Sequence, residues 1–231
     1  MKHDAKGEKA IDKALKTVGT PSSQLHRSVK ASLERLRETH ATLVTAFQSR
    51  ARNRLERATK VRRESVAAAE GGLKDRQADV SKYAKTGYPE LIEIAELQLQ
   101  AARGQVEIAK AIASQQEALV AVEDGIDARL IMWLEELTVR AVSALSSDRD
   151  ADVVIGLLSG GLIYAGATGG TSMVAGAAAA SVVVLAADLR DKLSSRRREK
   201  GADQDALRHE TAVILMDTVT ELNRRWLAIV S

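Results

Sequence analysis

The sequence predicts an all-α protein: an elongated antiparallel helical bundle with long coiled-coil-like arms and an apolar hairpin, rich in Gly and Ala, at one end. Its 231 residues are 45% hydrophobic, which excludes a fully disordered chain, and they include only 2 Pro, 2 Trp, 3 Tyr and 1 Phe. Strands and their turns are usually rich in aromatic residues and turn breakers, so a β-sandwich or barrel is disfavoured. Apolar residues also recur at spacings of three, four and seven over two long segments, as in helices that bury one face.

Residues 1–20 are expected to form a short amphipathic N-terminal segment. Ile11, Leu15 and Val18 lie among charged residues at spacings that place them on one helix face, and Gly19 begins the break that follows. The segment has no apolar stretch of the kind that forms the centre of a signal peptide. We therefore expect synthesis in the cytoplasm without a signal peptide, in a soluble form that becomes membrane-associated.

Residues 21–150 are predicted to fold as a long antiparallel helical hairpin. A turn of only Gly87-Tyr88-Pro89 separates its two arms, which is short enough to fold them back on each other. Residues 1–88 are basic overall and residues 89–150 acidic, which favours ion pairs between the arms. The apolar positions of the second arm form one predicted stripe: Leu91, Ile94, Ala95, Ala102, Val106, Ala109, Ile112, Ala113, Leu119, Ile126, Leu130, Trp133, Leu134, Leu137, Ala141 and Leu145.

Residues 189–231 are predicted to supply a further helical segment that packs on the bundle. The two long arms are rich in alanine, which permits close helix approach but buries little area, so they need a third helix or a partner. The body is accordingly predicted to be a three-helix bundle. The apolar positions of this third helix share one face: Leu207, Ala212, Leu215, Val219, Leu222, Trp226 and Ile229.

The segment between Asp152 and Asp188 is the most informative, because residues 153–187 contain no charge. As one straight helix it would be about 52 Å long, well beyond the roughly 30 Å of a bilayer core. Residues 167–172 make a poor helix interior, so the segment should bend there into two short arms, either helices or strands of a tongue. Residues 151–188 are therefore predicted to form a membrane-insertion hairpin. The predicted insertion residues are Val153, Val154, Ile155, Leu157, Leu158, Leu162, Ile163, Tyr164, Met173, Val174, Val182, Val183, Val184 and Leu185.

Two further sets of residues accompany the predicted hairpin. Small residues spaced along a helix let backbones touch in lipid, where side-chain burial gives no hydrophobic gain. The predicted helix-contact positions are Gly156, Gly160, Gly166, Gly170 and Gly176. A basic run after the hairpin suits contact with anionic lipid or a partner. Its members are Arg196, Arg197, Arg198 and Lys200.

This layout, with long helices on either side of an apolar segment, resembles that of the α-helical pore-forming toxins of the hemolysin E type, including the subunits of multi-component relatives. The resemblance extends over residues 22–231 and places residues 153–187 in the position of the toxins' apolar tongue. It implies a pore-forming protein that inserts this hairpin into a lipid membrane. It also implies oligomerisation through the bundle, with identical or related subunits.

The sequence is also compatible with other functions. The chain also suits a soluble coiled-coil adaptor or structural protein whose apolar hairpin is buried or docks a protein partner, and a constitutive two-span membrane protein is a further alternative. An enzyme is not expected, since there is no Cys and the 4 His show no metal-ligand spacing; His26 and His40 are expected at the surface. No cofactor or metal is predicted. The basic run 50–63 contains no aromatic residue for base stacking, which disfavours nucleic acid as a partner.

Overall fold

The computed structural model describes residues 5–19, 23–167, 173–196 and 203–231. Within these residues every regular element is an α-helix and none is a strand, so the predicted all-α class is confirmed. The helices of the described residues are α1 (Lys6–Val18), α2 (Gln24–Ala84), α3 (Pro89–Ser143), α4 (Asp148–Ala167), α5 (Met173–Arg196) and α6 (Gln204–Val230).

Glycine and proline mark the ends of the first helices. Gly19 follows α1 with φ 55°, and its backbone N–H donates to the Leu15 carbonyl over 3.3 Å. Gly87 lies between α2 and α3 with φ 74°, a left-handed conformation that glycine adopts without steric cost. Pro89 then occupies the first position of α3, where its missing N–H costs no helical hydrogen bond. The predicted turn between the long arms is therefore present.

The chain divides into two compact units. The first consists of residues 1–50 and 125–231, and the second of residues 51–124. Helices α2 and α3 each continue from one unit into the other.

The first unit has a hydrophobic core to which α1, α2, α3, α4, α5 and α6 all contribute. Trp226 of α6 stacks on Trp133 of α3 with ring centroids 5.5 Å apart. The predicted three-helix body is therefore incomplete, because α1, α4 and α5 each bury an apolar face in the same core. The largest fully buried side chains include Trp226, Phe47, Ile11, Leu33, Leu134, Leu158, Leu189 and Met216.

The second unit is an antiparallel pair formed by the later part of α2 and the first part of α3. Its buried apolar positions are mostly alanine, and they are Ala58, Ala95, Ala102, Val106 and Ala113. Ion pairs join the two helices: Arg54 lies 2.7 Å from Asp124, and Arg62 lies 2.6 Å from Glu117. At these positions the predicted pairing between the basic first arm and the acidic second arm is confirmed.

Helix α3 carries two apolar stripes in this unit rather than the single predicted one. Consecutive residues lie about 100° apart around a helix, so Ile94 and Ala95 cannot both face α2. The alanine-rich stripe packs on α2, and a second set of residues, which we name the outer stripe, is exposed. The outer stripe comprises Ile94, Leu97, Ala101, Ile108, Ile112, Leu119 and Val122. The single-stripe prediction is therefore wrong for Leu91, Ile94, Ile112 and Leu119.

Reversing the charge of Arg54 is expected to destabilise the second unit by about 2 kcal/mol, since a new carboxylate would face two others at a largely buried position. Arg54 lies 3.4 Å from Glu123 and 2.7 Å from Asp124. Urea unfolding of Arg54→Glu, followed by far-UV circular dichroism, measures the loss. Arg63→Glu is the matched control, because Arg63 is exposed on the same helix and its reversal should change stability by less than about 0.5 kcal/mol. Equal losses in the two variants would contradict the role given to Arg54.

Candidate functional site

The α4–α5 hairpin is the candidate functional site, because it contains the uncharged segment. Its two arms pack against each other and both are helices, which decides between the helical and strand forms that the sequence left open. Helix α5 continues past Asp188 to Arg196. The first charged residues of the predicted C-terminal segment therefore extend the second arm of the hairpin.

One face of the hairpin is buried in the core of the first unit. Its buried apolar residues are Val154, Leu158, Ala178, Val182 and Leu185. The indole Nε1–H of Trp226 in α6 donates a hydrogen bond to the Ala178 carbonyl over 3.3 Å. This inward face already has a protein partner, and it would have to leave α6 in order to contact lipid.

The opposite face of the hairpin is exposed. Val153, Val183 and Val184 are 40, 42 and 56% exposed, while Ile155 and Leu157 are partly buried against the core. Leaving apolar side chains in water costs free energy in proportion to their area. These exposed apolar side chains are therefore candidates for contact with lipid or with a protein partner.

Several predicted site residues fall outside the side chains that the structure describes. Those with a helical backbone but no described side chain are Leu162, Ile163, Tyr164, Gly166, Met173, Val174 and Arg196. Those outside the described residues altogether are Gly170, Arg197, Arg198 and Lys200. The roles given to these residues stay predictions.

Three of the predicted helix-contact glycines, Gly156, Gly160 and Gly176, have open space where a side chain would begin. A Cβ placed on Gly156, Gly160 or Gly176 would meet no surrounding atom within 4 Å. Glycine is therefore not required at these positions by the packing of the described fold. Helix contact through these residues was predicted for the hairpin in lipid, and for that state it stays a prediction.

Ion pairs hold the start of α4 against two other helices. Arg140 of α3 donates to Asp150 over 3.1 Å, and Arg208 of α6 donates to Asp148 over 2.9 Å. The hydrogen bond from Arg208 lowers the pKa of Asp148, and hydrogen bonds to Glu136 and Asp150 raise the pKa of Arg140. Acidic residues in the first turn also complement the positive end of the helix dipole. The base of the hairpin is thus anchored by charge.

A buried polar cluster, which was not predicted from the sequence, holds α1 against the rest of the first unit. His40 Nε2 lies 3.0 Å from Glu135 Oε1, and Glu135 Oε2 accepts a hydrogen bond from the Gly7 backbone N–H. The expectation that His40 lies at the surface is wrong, since it is 2% exposed beneath α1 and Glu135. Its place on the apolar stripe of α2, between Leu36 and Leu43, was the available signal.

The described part of the chain contains neither a helix that could span a membrane nor a cluster of metal-ligating side chains. None of the helices there is both long and apolar enough to cross a membrane. No group of three or more His, Cys, Asp or Glu residues among the described ones is placed to hold a metal ion.

No protein-family model, curated protein or solved structure matches this chain, whose function is therefore inferred from its own residues.

Proposed function

We propose that this chain is a membrane-inserting, pore-forming helical protein that oligomerises through its bundle and inserts residues 153–187 into a lipid bilayer. The observation that carries the proposal is the uncharged, exposed outer face of the α4–α5 hairpin, where Val183 and Val184 meet solvent. Such a face can enter the hydrocarbon core of a bilayer without the free-energy cost of transferring a charged side chain from water. The soluble and the membrane-bound protein are then two states of one chain.

Insertion would replace the apolar contacts that the hairpin makes with the protein core by apolar contacts with lipid or neighbouring subunits. In the soluble state α6 covers the inward face, and in the bilayer lipid or neighbouring subunits would cover it. Because burial of apolar area has no directional requirement, this exchange changes the apolar free energy little. The hydrogen bond from Trp226 to Ala178 and the ion pair between Arg208 and Asp148 oppose it. Conditions that weaken these two contacts should favour insertion.

Val183→Arg tests this proposal, because Val183 is 42% exposed and the soluble fold can accommodate arginine there. Insertion would carry the charge into hydrocarbon at roughly 2.5–3.5 kcal/mol, so vesicle binding should fall roughly 100-fold. The melting temperature without lipid should not change. Cosedimentation with liposomes and release of an entrapped dye measure the two membrane effects.

Two control variants separate insertion from folding and from general surface effects. Leu55→Arg changes a residue of the second unit that is 59% exposed, and it should leave vesicle binding unchanged. Val182→Arg changes a residue that is 2% exposed, and it should unfold the first unit before any lipid is added. The proposal is wrong if the unchanged protein binds no vesicles, or if Val183→Arg binds and permeabilises them as the unchanged protein does.

The burial of the hairpin's inward face favours a second candidate function, that of a soluble coiled-coil adaptor. In this function the exposed residues Val153, Val183 and Val184 dock a protein partner, while the inward face stays in the core. Liposomes distinguish the two candidates, since an adaptor should bind neither neutral nor anionic vesicles. Its Val183→Arg variant should keep its fold and lose the protein partner.

A further inference from the structure

We propose that the outer stripe of α3 binds the outer stripe of a second copy of this chain, with the two α3 helices antiparallel and Ile108 at the two-fold axis. The inference rests on the oligomerisation included in the proposed function, and it names the surface that performs it. The outer stripe lies wholly within the second unit.

The spacing of residues in the outer stripe is typical of a face that packs against another helix. Ile94, Ala101, Ile108, Gln115 and Val122 follow one another at intervals of seven residues. A seven-residue repeat keeps one face turned toward a neighbouring helix as the two supercoil. Helix α2 covers the alanine-rich stripe and leaves Ile108 61% exposed. The outer stripe therefore has the pattern of a coiled-coil seam that no described helix covers.

The outer stripe is symmetric about Ile108. Ile94 lies as many residues before Ile108 as Val122 lies after it, and the same is true of Leu97 and Leu119. In an antiparallel pair with its two-fold axis at Ile108, each of these residues meets its counterpart on the second copy. A two-fold interface must be self-complementary in this way, whereas a surface for an unrelated helix has no need of such symmetry.

The same symmetry places a large side chain opposite a small residue. Ile112 lies opposite Gly104 of the second copy, since the two are equally distant from Ile108. A Cβ on Gly104 would meet no surrounding atom within 4 Å, so the space beside it is open in the single chain. Ile112 of the second copy fills that space. Because of the axis, this contact occurs twice in each dimer.

The ion pair between Arg62 and Glu117 lies on the side of the helix pair opposite the outer stripe. Ile112 of the stripe lies five residues before Glu117 and therefore about 140° around α3 from it.

None of the members of the outer stripe is charged, so a second copy buries no unpaired charge there. Uncharged amides, rather than charges, lie in or beside the stripe at Gln98, Gln105 and Gln115.

Sedimentation of the full chain without lipid tests the proposal, and we expect a dimer whose population rises with concentration. Ile108→Glu sets two carboxylates against each other at the axis and should weaken dimerisation about tenfold or more. Helical content should not change, because Ile108 is exposed. Leu55→Glu is the matched control: it alters an equally exposed residue seven positions before Arg62, on the opposite side of the pair.

Cysteine cross-linking determines the direction of the two helices, since the chain has no Cys of its own. Ile108→Cys should form disulfide-linked dimers, because the axis brings position 108 of both copies together. Ile94→Cys should not cross-link to itself, but it should cross-link when mixed with Val122→Cys. Self-cross-linking of Ile94→Cys would overturn the antiparallel arrangement.

A chain that stays monomeric at every concentration would overturn binding of a second copy and leave a different protein as the occupant. The outcome is independent of the membrane experiment, because no lipid is present. Val183→Arg should dimerise as the unchanged protein does, so failure of insertion and failure of dimerisation are separately visible.

Discussion

Replacing Trp226 with alanine is expected to lower the free energy of unfolding of the first unit by about 3–5 kcal/mol. Trp226 is 2% exposed, stacks on Trp133 and donates its indole N–H to the Ala178 carbonyl. Alanine removes the ring and the hydrogen bond together and leaves a cavity between α3, α5 and α6. Since many domains are stable by only about 5–15 kcal/mol, this loss is large. Guanidinium unfolding followed by far-UV circular dichroism measures it.

Two companion variants resolve the cause of the loss. Trp226→Phe keeps most of the apolar volume but lacks the donor to Ala178, and it should cost about 1–2 kcal/mol. Trp133→Ala removes the other ring of the stack, which is only partly buried, and should cost less than Trp226→Ala. Equal losses at Trp133 and Trp226 would contradict the role of Trp226 as the residue that anchors the hairpin.

Gly7→Ala is expected to displace α1 from the first unit at a cost of about 1–3 kcal/mol. A Cβ at this position would lie 2.7 Å from Glu135 Oε2 and 3.0 Å from His40 Nε2. Both side chains are buried and cannot move aside without disturbing the surrounding core. Displacement should also weaken the hydrogen bond from the Gly7 N–H to Glu135. Limited proteolysis with trypsin should show faster cleavage at Lys13 and Lys16, which lie on α1.

Gly71→Ala is the matched control, because the same substitution should there have the opposite effect. Gly71 lies inside α2, and a Cβ on it would meet no surrounding atom within 4 Å. Alanine in an exposed helix interior is favoured over glycine by about 0.5–1 kcal/mol, so the variant should be slightly more stable. Unchanged proteolysis of Gly7→Ala would contradict the close packing of α1 on Glu135.

The helices and the turn between the long arms could be predicted because their determinants are local. Gly87 and Pro89 terminate one helix and start the next through their own backbone restrictions. Gly71 and Gly72 do not interrupt α2, since glycine costs only about 1 kcal/mol per residue within a helix. The absence of charge from 153 to 187 is likewise a local property, and α4 and α5 occupy the described part of this segment.

The partner of each helix face could not be predicted, because that information is not local. Val182 is buried and Val183 is exposed, yet the uncharged run contains no polar pattern that distinguishes their faces. His40 and Glu135 are 95 positions apart and meet only in the folded chain. Both apolar stripes of α3 have spacings of three and four residues, so spacing alone does not tell them apart. Only the position of α2 in the fold shows which stripe is buried.

If the outer stripe binds a second copy as proposed, the alanine-rich contact between α2 and α3 makes the stability of the second unit depend on protein concentration. Ala95, Ala102 and Ala113 remove little apolar area from water, whereas a second copy would cover the larger side chains of the outer stripe. A partner that binds only the folded second unit adds about 2.7 kcal/mol of stability when its concentration is a hundred times its dissociation constant. Mass action would then couple folding of the second unit to protein concentration. The α2–α3 pair would separate more often at low concentration and stay paired at high concentration.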